Sequence, residues 1–130
     1  MADHRIPPFA QNLGMTLTQL DSEGARGELM VDEARSNSIG LLHGGAIMTF
    51  GDTLGALSTI VNLPAGMMTS TLESKTNFLA PIRLGERAYA TCTPLHLGST
   101  TMVWQTAIRR GDGKLAAIVT QTQLVFEQKA

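Results

Sequence analysis

One stretch, Asn37 to Val61, constrains this chain most, because it joins a His-Gly-Gly turn to a long run of helical period. Counted at 100° per residue from just after His43, its large apolar residues fall on one face, which is typical of a helix packed on a core. These residues are Ile47, Phe50, Leu54, Leu57 and Val61. We therefore expect a long helix that begins just after His43 and ends at 62–66, where Pro64 disfavours helix in the residue before it.

The opposite face of this helix carries an isolated carboxylate, Asp52. Between Arg35 and Glu73 no other side chain is formally charged, whereas a solvated helix face normally carries several charges. Gly55 and Ala56 on this side would let another backbone approach closely. We infer that both faces pack and that Asp52 lies in a restricted environment; a solvated polar position is the alternative.

Two glycines, Gly44 and Gly45, stand at the start of the expected helix. Backbone amides at a helix N-terminus lack intrahelical partners, and together with the helix dipole they attract developing negative charge. This arrangement is typical of an oxyanion hole. The glycines could instead serve only to relieve crowding at the helix start.

The spacing of Gly44 and Asp52 bears on mechanism. Eight residues at about 1.5 Å per residue separate them by roughly 12 Å along one helix, whereas a general base needs contact at about 3 Å, directly or through one water. One helix therefore cannot both hold a carbonyl at Gly44 and attack it with its own Asp52. If both groups act on one substrate, two copies of the helix must lie side by side.

The composition limits the class of protein. A chain of 130 residues predicts a single domain over residues 1–130. A net charge of -1 with 16% charged residues provides no basic surface, so we expect no nucleic-acid partner. No run is typical of a signal peptide or a membrane span, and the lone Cys92 suits a reducing compartment. We therefore predict a cytoplasmic protein with no membrane partner.

The histidines offer no metal site. None of the three, His4, His43 and His96, has metal-ligand spacing with Cys or with another His. Cys92 lies in an alternating, alanine-rich segment, and we interpret it as a small core residue. The sequence therefore predicts neither a metal nor a cofactor.

The rest of the chain predicts mainly strands. Residues 7–13 are typical of a short lead-in turn or helix, with Phe9 and Leu13 as its apolar contacts. Alternating apolar residues and turn signals predict a hairpin of 15–20 with 25–31. Further strands are expected at 68–79, 86–97, 102–110 and 115–126, as a four-strand meander. One helix covered by about six antiparallel strands makes an α+β domain.

An ordered set of residues in this chain resembles a known family. The set comprises Asn37, Gly40, the run Leu42-His43-Gly44-Gly45 and Asp52, with 78–81 and Gly85 as weaker landmarks, over roughly Phe9 to Glu127. It is similar to that of the hotdog-fold acyl-CoA thioesterases of the phenylacetate-degradation type, within the 4-hydroxybenzoyl-CoA thioesterase superfamily. The resemblance implies an antiparallel sheet wrapped around one long central helix. It also implies a homodimer with active sites at the subunit interface, often assembled further into a homotetramer.

By the same resemblance, the Gly44 amide would polarise the thioester carbonyl and Asn37 would orient the water or the reacting group. Asp52 of the neighbouring subunit would act as general base, or as nucleophile through a mixed anhydride, and these two mechanisms stay open. Thr71 matches a position where a hydroxyl helps to hold the water or the aspartate. A loop-turning role for Asn37 and an ordinary strand position for Thr71 are the alternatives.

The substrate implied by the resemblance is an acyl-CoA or aroyl-CoA. Candidate substrate-binding residues are His43, Gly45 and Met48, together with Gly98, Ser99 and Thr100, which by analogy with the family would lie beside pantetheine. For His43 we favour a structural hydrogen bond over catalysis. Residues expected to shape the acyl pocket are Met48, Met67, Met68 and Phe78, and candidates for the CoA phosphates are Arg83, Arg109, Arg110 and Lys114. A non-catalytic acyl-CoA or aromatic-ligand binder is the alternative function. A hotdog dehydratase or hydratase would need a paired His and acidic residue, which the sequence lacks.

Overall fold

The computed structural model describes Asp3 and residues 5–129. The helices are α1 (Pro8–Leu13) and α2 (Gly44–Asn62), and a short 3-10 turn spans Glu33–Arg35. The strands are β1 (Thr16–Asp21), β2 (Gly24–Met30), β3 (Met67–Phe78), β4 (Arg87–Leu97), β5 (Thr101–Arg110) and β6 (Leu115–Glu127). Each predicted helix and strand is present, with bounds close to those expected.

The six strands form one antiparallel sheet in the order β1-β2-β4-β5-β6-β3, and α2 packs across one face of it. The sheet contributes alternate residues to a continuous core with α2, among them the fully buried Leu29, Trp104 and Val119. Trp104 also places its Nε1–H in a 2.8 Å hydrogen bond to Thr59 on α2. The predicted α+β hotdog fold is confirmed.

The predicted four-strand meander is wrong. β3 pairs with β6 along its whole length, and β4 pairs with β2, so β3 lies at a sheet edge. The reason lies in residues 82–85 of the following loop, which hydrogen-bond to other parts of the chain: Ile82 O accepts from Leu42 N at 2.8 Å, and Gly85 N donates to Val31 O at 2.8 Å. These contacts carry the chain across to β2 before β4 begins.

Two predicted core contacts are also wrong. Val61 is 44% exposed, although the other four apolar residues of its helix face are buried. Val61 belongs to the last turn of α2, which ends at Asn62. Phe9 is 75% exposed, and the small Ala10 is the buried residue of the six-residue α1.

Cys92 is a buried core residue of β4, as its alternating segment predicts. Burial raises the pKa of its thiol, and hydrogen bonds with Thr106 and Ser58 oppose that effect. Among the described residues, no helix is both long and apolar enough to cross a membrane.

Candidate active site

Asp52 lies half-buried at the middle of α2, against the inner face of the sheet. Its Oδ1 accepts from Thr71 Oγ1 on β3 at 3.1 Å and from Gln121 Nε2 on β6 at 3.2 Å. No described residue donates a hydrogen bond to Oδ2. One carboxylate oxygen is therefore anchored by neutral donors, and the other is available for chemistry.

The side chain that approaches this part of α2 closely is Gln121, rather than a neighbouring backbone as Gly55 and Ala56 suggested. A Cβ added at Gly55 would collide with the side-chain amide of Gln121. The absent side chain at Gly55 therefore leaves the space in which the Gln121 amide reaches Asp52.

Sequence reasoning missed Gln121 and its neighbour Gln123, which are both 1% exposed. Their signal is present in the alternation of β6, because they continue the inward-facing series of Ala117 and Val119 at a spacing of two. Two amides at core positions of a strand are costly unless they are hydrogen-bonded. That pattern identifies a buried polar network facing α2.

The start of α2 is capped by His43. Its Nδ1 accepts from Gly45 N at 2.8 Å, while its carbonyl oxygen accepts from Ala46 N at 2.9 Å and Ile47 N at 3.1 Å. An accepting Nδ1 places the ring hydrogen on Nε2. Among the described residues nothing accepts from Gly44 N–H. Gly44, and not Gly45, is therefore the unused amide donor at this helix N-terminus.

Gly44 lines a cavity of about 450 Å³ together with Asn37 and Phe78. The Asn37 Oδ1 accepts from Ile39 N at 3.1 Å and from Leu41 N at 3.0 Å, so this side chain does turn the loop before α2. Its Nδ2 makes no hydrogen bond with a described residue. The side-chain oxygen thus turns the loop, and the amide N–H groups remain unbonded in a residue that lines the same cavity as Gly44.

The remaining predicted substrate-binding residues are dispersed in a single chain. His43 and Gly45 line a second cavity of about 450 Å³, shared with Phe9 and Arg35. Met48 is 41% exposed and lines neither cavity. The turn between β4 and β5 contains the other three, which are Gly98, Ser99 and Thr100. In this turn Thr100 O accepts from Val125 N at 2.8 Å.

The expected acyl-pocket residues do not converge in one chain. Only Phe78 lines the Gly44 cavity, whereas Met67 and Met68 line neither cavity. The single chain therefore does not assemble the acyl pocket as the sequence predicts, because Met67 and Met68 lie at the start of β3 and Phe78 at its end.

Two of the candidate phosphate-binding arginines are held by their own hairpin. Arg110 Nη2 donates to Asp112 Oδ2 at 2.6 Å, and Arg109 Nη1 donates to Gly113 O at 3.0 Å. The Arg110 hydrogen bond is the main cause that lowers the Asp112 pKa to about 2. Within the described ranges, no group of three His, Cys, Asp or Glu side chains could hold a metal ion.

Comparison with known proteins places this chain in a family. The sequence profile of the thioesterase superfamily matches residues 39–117. The protein PA1618 of Pseudomonas aeruginosa is 32% identical over 114 residues, covering 87% of this chain and 78% of that protein. The chain therefore belongs to the thioesterase superfamily, and the predicted class of enzyme, a thioester hydrolase, is confirmed.

Solved structures and a further relative agree with this assignment. A crystal structure of a mutant of the thioesterase PA1618 has a TM-score of 0.87 at 29% identity, and the match covers 92% of this chain and 86% of that one. The proofreading thioesterase EntH of Klebsiella pneumoniae is 28% identical over 79% of this chain and 74% of its own. A hypothetical thioesterase from Streptococcus pneumoniae with coenzyme A shares the fold, with a TM-score of 0.79 at 24% identity over 89% of this chain and 88% of that one.

Proposed function

We propose that this protein hydrolyses an acyl- or aroyl-CoA thioester to the free acid and CoA, in active sites shared between two copies of the chain. The observation that carries the proposal is the pair of unused groups on α2. Gly44 N–H lies at the helix N-terminus, and Asp52 Oδ2 lies eight residues further on. At about 1.5 Å per residue they are roughly 12 Å apart, too far for one carbonyl to meet both. A second α2 lying alongside brings its own Asp52 to this Gly44.

The position of β3 supports this assembly. β3 carries Thr71 beside Asp52 and forms one edge of the sheet. Its bulge residue Leu72 is 59% exposed. An unpaired strand edge with an exposed apolar residue is a natural docking surface. Docking at this edge places the partner next to Asp52, as the shared site requires.

In the proposed reaction, Gly44 N–H hydrogen-bonds to the thioester carbonyl oxygen and Asn37 Nδ2 orients the substrate or the water. A water held at Asp52 Oδ2 of the partner attacks the carbonyl carbon, its proton passes to the carboxylate, and the carbonyl π electrons move to the oxygen. Collapse of this intermediate breaks the C–S bond, and the proton passes from Asp52 to the CoA thiolate. Direct attack by Asp52 through a mixed anhydride is the alternative route.

These groups suffice for a thioester, because its carbonyl is already electrophilic. One oxyanion donor typically contributes about 3–4 kcal/mol, and a general base contributes roughly 10²–10⁴ in rate. The coenzyme A held by the structurally similar Streptococcus pneumoniae protein supports a CoA ester as the substrate class. Asp rather than Glu at position 52 supports the phenylacetate-degradation type. We further propose that the homodimer is the minimum functional unit, that two dimers form a tetramer, and that the protein works in the cytoplasm.

A panel of CoA thioesters, aliphatic and aromatic, tests this function directly. Release of free thiol is followed with a thiol reagent, and the acid product is identified by mass spectrometry. We expect saturable release of CoA from at least one class of ester. Saturable binding without thiol release on every ester would instead support a non-catalytic acyl-CoA binder.

A further inference from the structure

The buried amides of Gln121 and Gln123 link Asp52 to the inner face of the sheet. Gln121 Nε2 faces three acceptors: Asp52 O at 3.1 Å, Asp52 Oδ1 at 3.2 Å and Gln123 Oε1 at 3.1 Å. Gln123 Nε2 in turn donates to Thr69 Oγ1 at 3.1 Å. Because three acceptors surround Nε2, only this orientation of the Gln121 amide fits. Gln121 therefore donates to both Asp52 and Gln123, and Gln123 donates in turn to β3.

This arrangement is unfavourable for stability alone. Gln121 Oε1 is buried and has no hydrogen-bond partner among the described residues. A buried polar atom without a partner is destabilising, and an apolar side chain of similar shape would avoid that cost. Two glutamines at core positions of β6, with a glycine opposite one of them, are better explained by the network they form: Gln121 contacts Asp52, and Gln123 contacts Gln121 and Thr71.

Thr71 connects the two parts of the network. Its single hydroxyl hydrogen has two acceptors within reach, Gln123 Oε1 at 2.7 Å and Asp52 Oδ1 at 3.1 Å. When Asp52 is ionised, Oδ1 carries negative charge and attracts this hydrogen. When a proton arrives on Oδ2, Oδ1 becomes a weaker acceptor, and the hydroxyl turns to Gln123. The Thr71 hydroxyl thus has an acceptor in both protonation states of the base.

We propose that Gln121 and Gln123 are positioning residues: Gln121 holds Oδ1 of Asp52 so that Oδ2 faces the water, while Gln123 binds the Gln121 amide and receives the Thr71 hydroxyl when the base is protonated. This inference rests on the proposed role of Asp52. Neither glutamine touches the substrate in this account, and each acts only through the carboxylate. Their effect on the rate must therefore depend on the presence of Asp52.

Gln121→Met tests the proposal, because methionine keeps the length of the side chain and removes its donors. We expect kcat to fall roughly 10- to 100-fold, the loss of a hydrogen bond to a charged group, with KM changed less than about twofold. In the Asp52→Asn background the same change should lower kcat by less than about twofold further. A merely structural residue would lower kcat by the same factor in both backgrounds, and that result would overturn the proposal.

Gln123→Met changes a residue one step further from Asp52. We expect a smaller fall in kcat than in Gln121→Met, and again almost no further fall in the Asp52→Asn background. Thr106→Val is the matched control, because it removes a fully buried hydroxyl from the same sheet face without any contact to Asp52; its kcat should match the parent. Circular dichroism and urea midpoints verify folding. Full activity in Asp52→Asn alone would overturn the proposed function, whereas equal losses in both backgrounds would overturn only the positioning role.

Discussion

Gly44 and Asp52 lie on the same helix, and each has a polar group that no described residue engages: the Gly44 N–H and the Asp52 Oδ2. Around them the neighbouring groups are in use, since His43 Nδ1 occupies the Gly45 amide and Thr71 occupies Asp52 Oδ1. The Gly44 N–H and the Asp52 Oδ2 are therefore available to a ligand, whereas the Gly45 N–H and the Asp52 Oδ1 are not. In the proposed reaction, the separation of the two available groups requires a second copy of the chain.

Asp52→Asn should lower turnover by roughly 10²–10⁴, the usual contribution of a general base. Asparagine has the same shape, and its Oδ1 can still accept from Thr71 and Gln121, so the fold and the oligomer should be retained. Steady-state thiol release and size-exclusion chromatography check the two halves of this prediction. Near-normal turnover in this variant would remove Asp52 from the mechanism.

Gly44→Pro should delete the proposed oxyanion donor with little change in fold. Proline is well accepted at the first position of a helix, where it removes only an amide that has no intrahelical partner. His43, with φ -62 and ψ 136, already has the conformation preferred before proline. We expect kcat to fall by roughly 10²–10³.

Gly44→Ala is the control for this change, since it adds a Cβ against the same Phe78 ring, at 3.3 Å, and keeps the N–H. Turnover should remain much higher in Gly44→Ala than in Gly44→Pro. If the two variants had equal rates, the Gly44 amide would have no part in the reaction.

Gly55→Ala and Gly51→Ala should separate overpacking from loss of activity. Each added Cβ collides with a β6 side chain, the Gln121 amide for Gly55 and Val119 for Gly51. Overpacking of this kind costs about 1–3 kcal/mol, partly offset by the higher helix propensity of alanine. Urea unfolding should show a lower free energy of unfolding in both variants. In contrast, kcat per folded molecule should fall only in Gly55→Ala, because that variant displaces the Gln121 amide. Similar kcat values would contradict this account.

Cys92 should make the protein less stable at alkaline pH. Burial raises the pKa of its thiol above the ordinary 9.0, so the folded state keeps the proton where the unfolded state releases it. Its contribution to the free energy of unfolding is therefore complete below about pH 9 and is lost as pH rises towards the folded pKa. Urea unfolding between neutral and alkaline pH should show a steeper decline in the parent than in Cys92→Ala. Parallel declines would show that the thiol does not titrate differently on folding.

The elements of this fold are largely predictable from the sequence, whereas their order in the sheet is not. The period of 3.6 around Phe50 and the alternation around Val119 reflect burial of one face, which the chain records locally. The pairing of β3 with β6 depends on contacts of loop 79–86 with residues 31 and 42. No local pattern records such long-range backbone hydrogen bonds.

The candidate site shows the same division. The His-Gly-Gly start of α2 and the isolated Asp52 are visible because local rules for helix termini and charge patterning apply to them. The roles of Gln121 and Gln123 are not visible in this way, because they depend on partners far along the chain: Asp52 is 69 residues from Gln121, and Thr71 is 52 residues from Gln123. The space at Gly55 likewise has meaning only once β6 lies against α2.

Mixed dimers test the central claim most directly. The Asp52→Asn chain and the Gly44→Pro chain, each expected to be nearly inactive alone, are coexpressed with different tags. Dimers that carry both tags are then purified. If Gly44 of one copy works with Asp52 of the other, each hybrid dimer has one intact site and one doubly defective site, so hybrids selected by both tags should show about half of the parent activity and the unselected random mixture about a quarter. Activity no higher than that of either variant alone, in hybrids shown to form, would contradict a site shared between two copies.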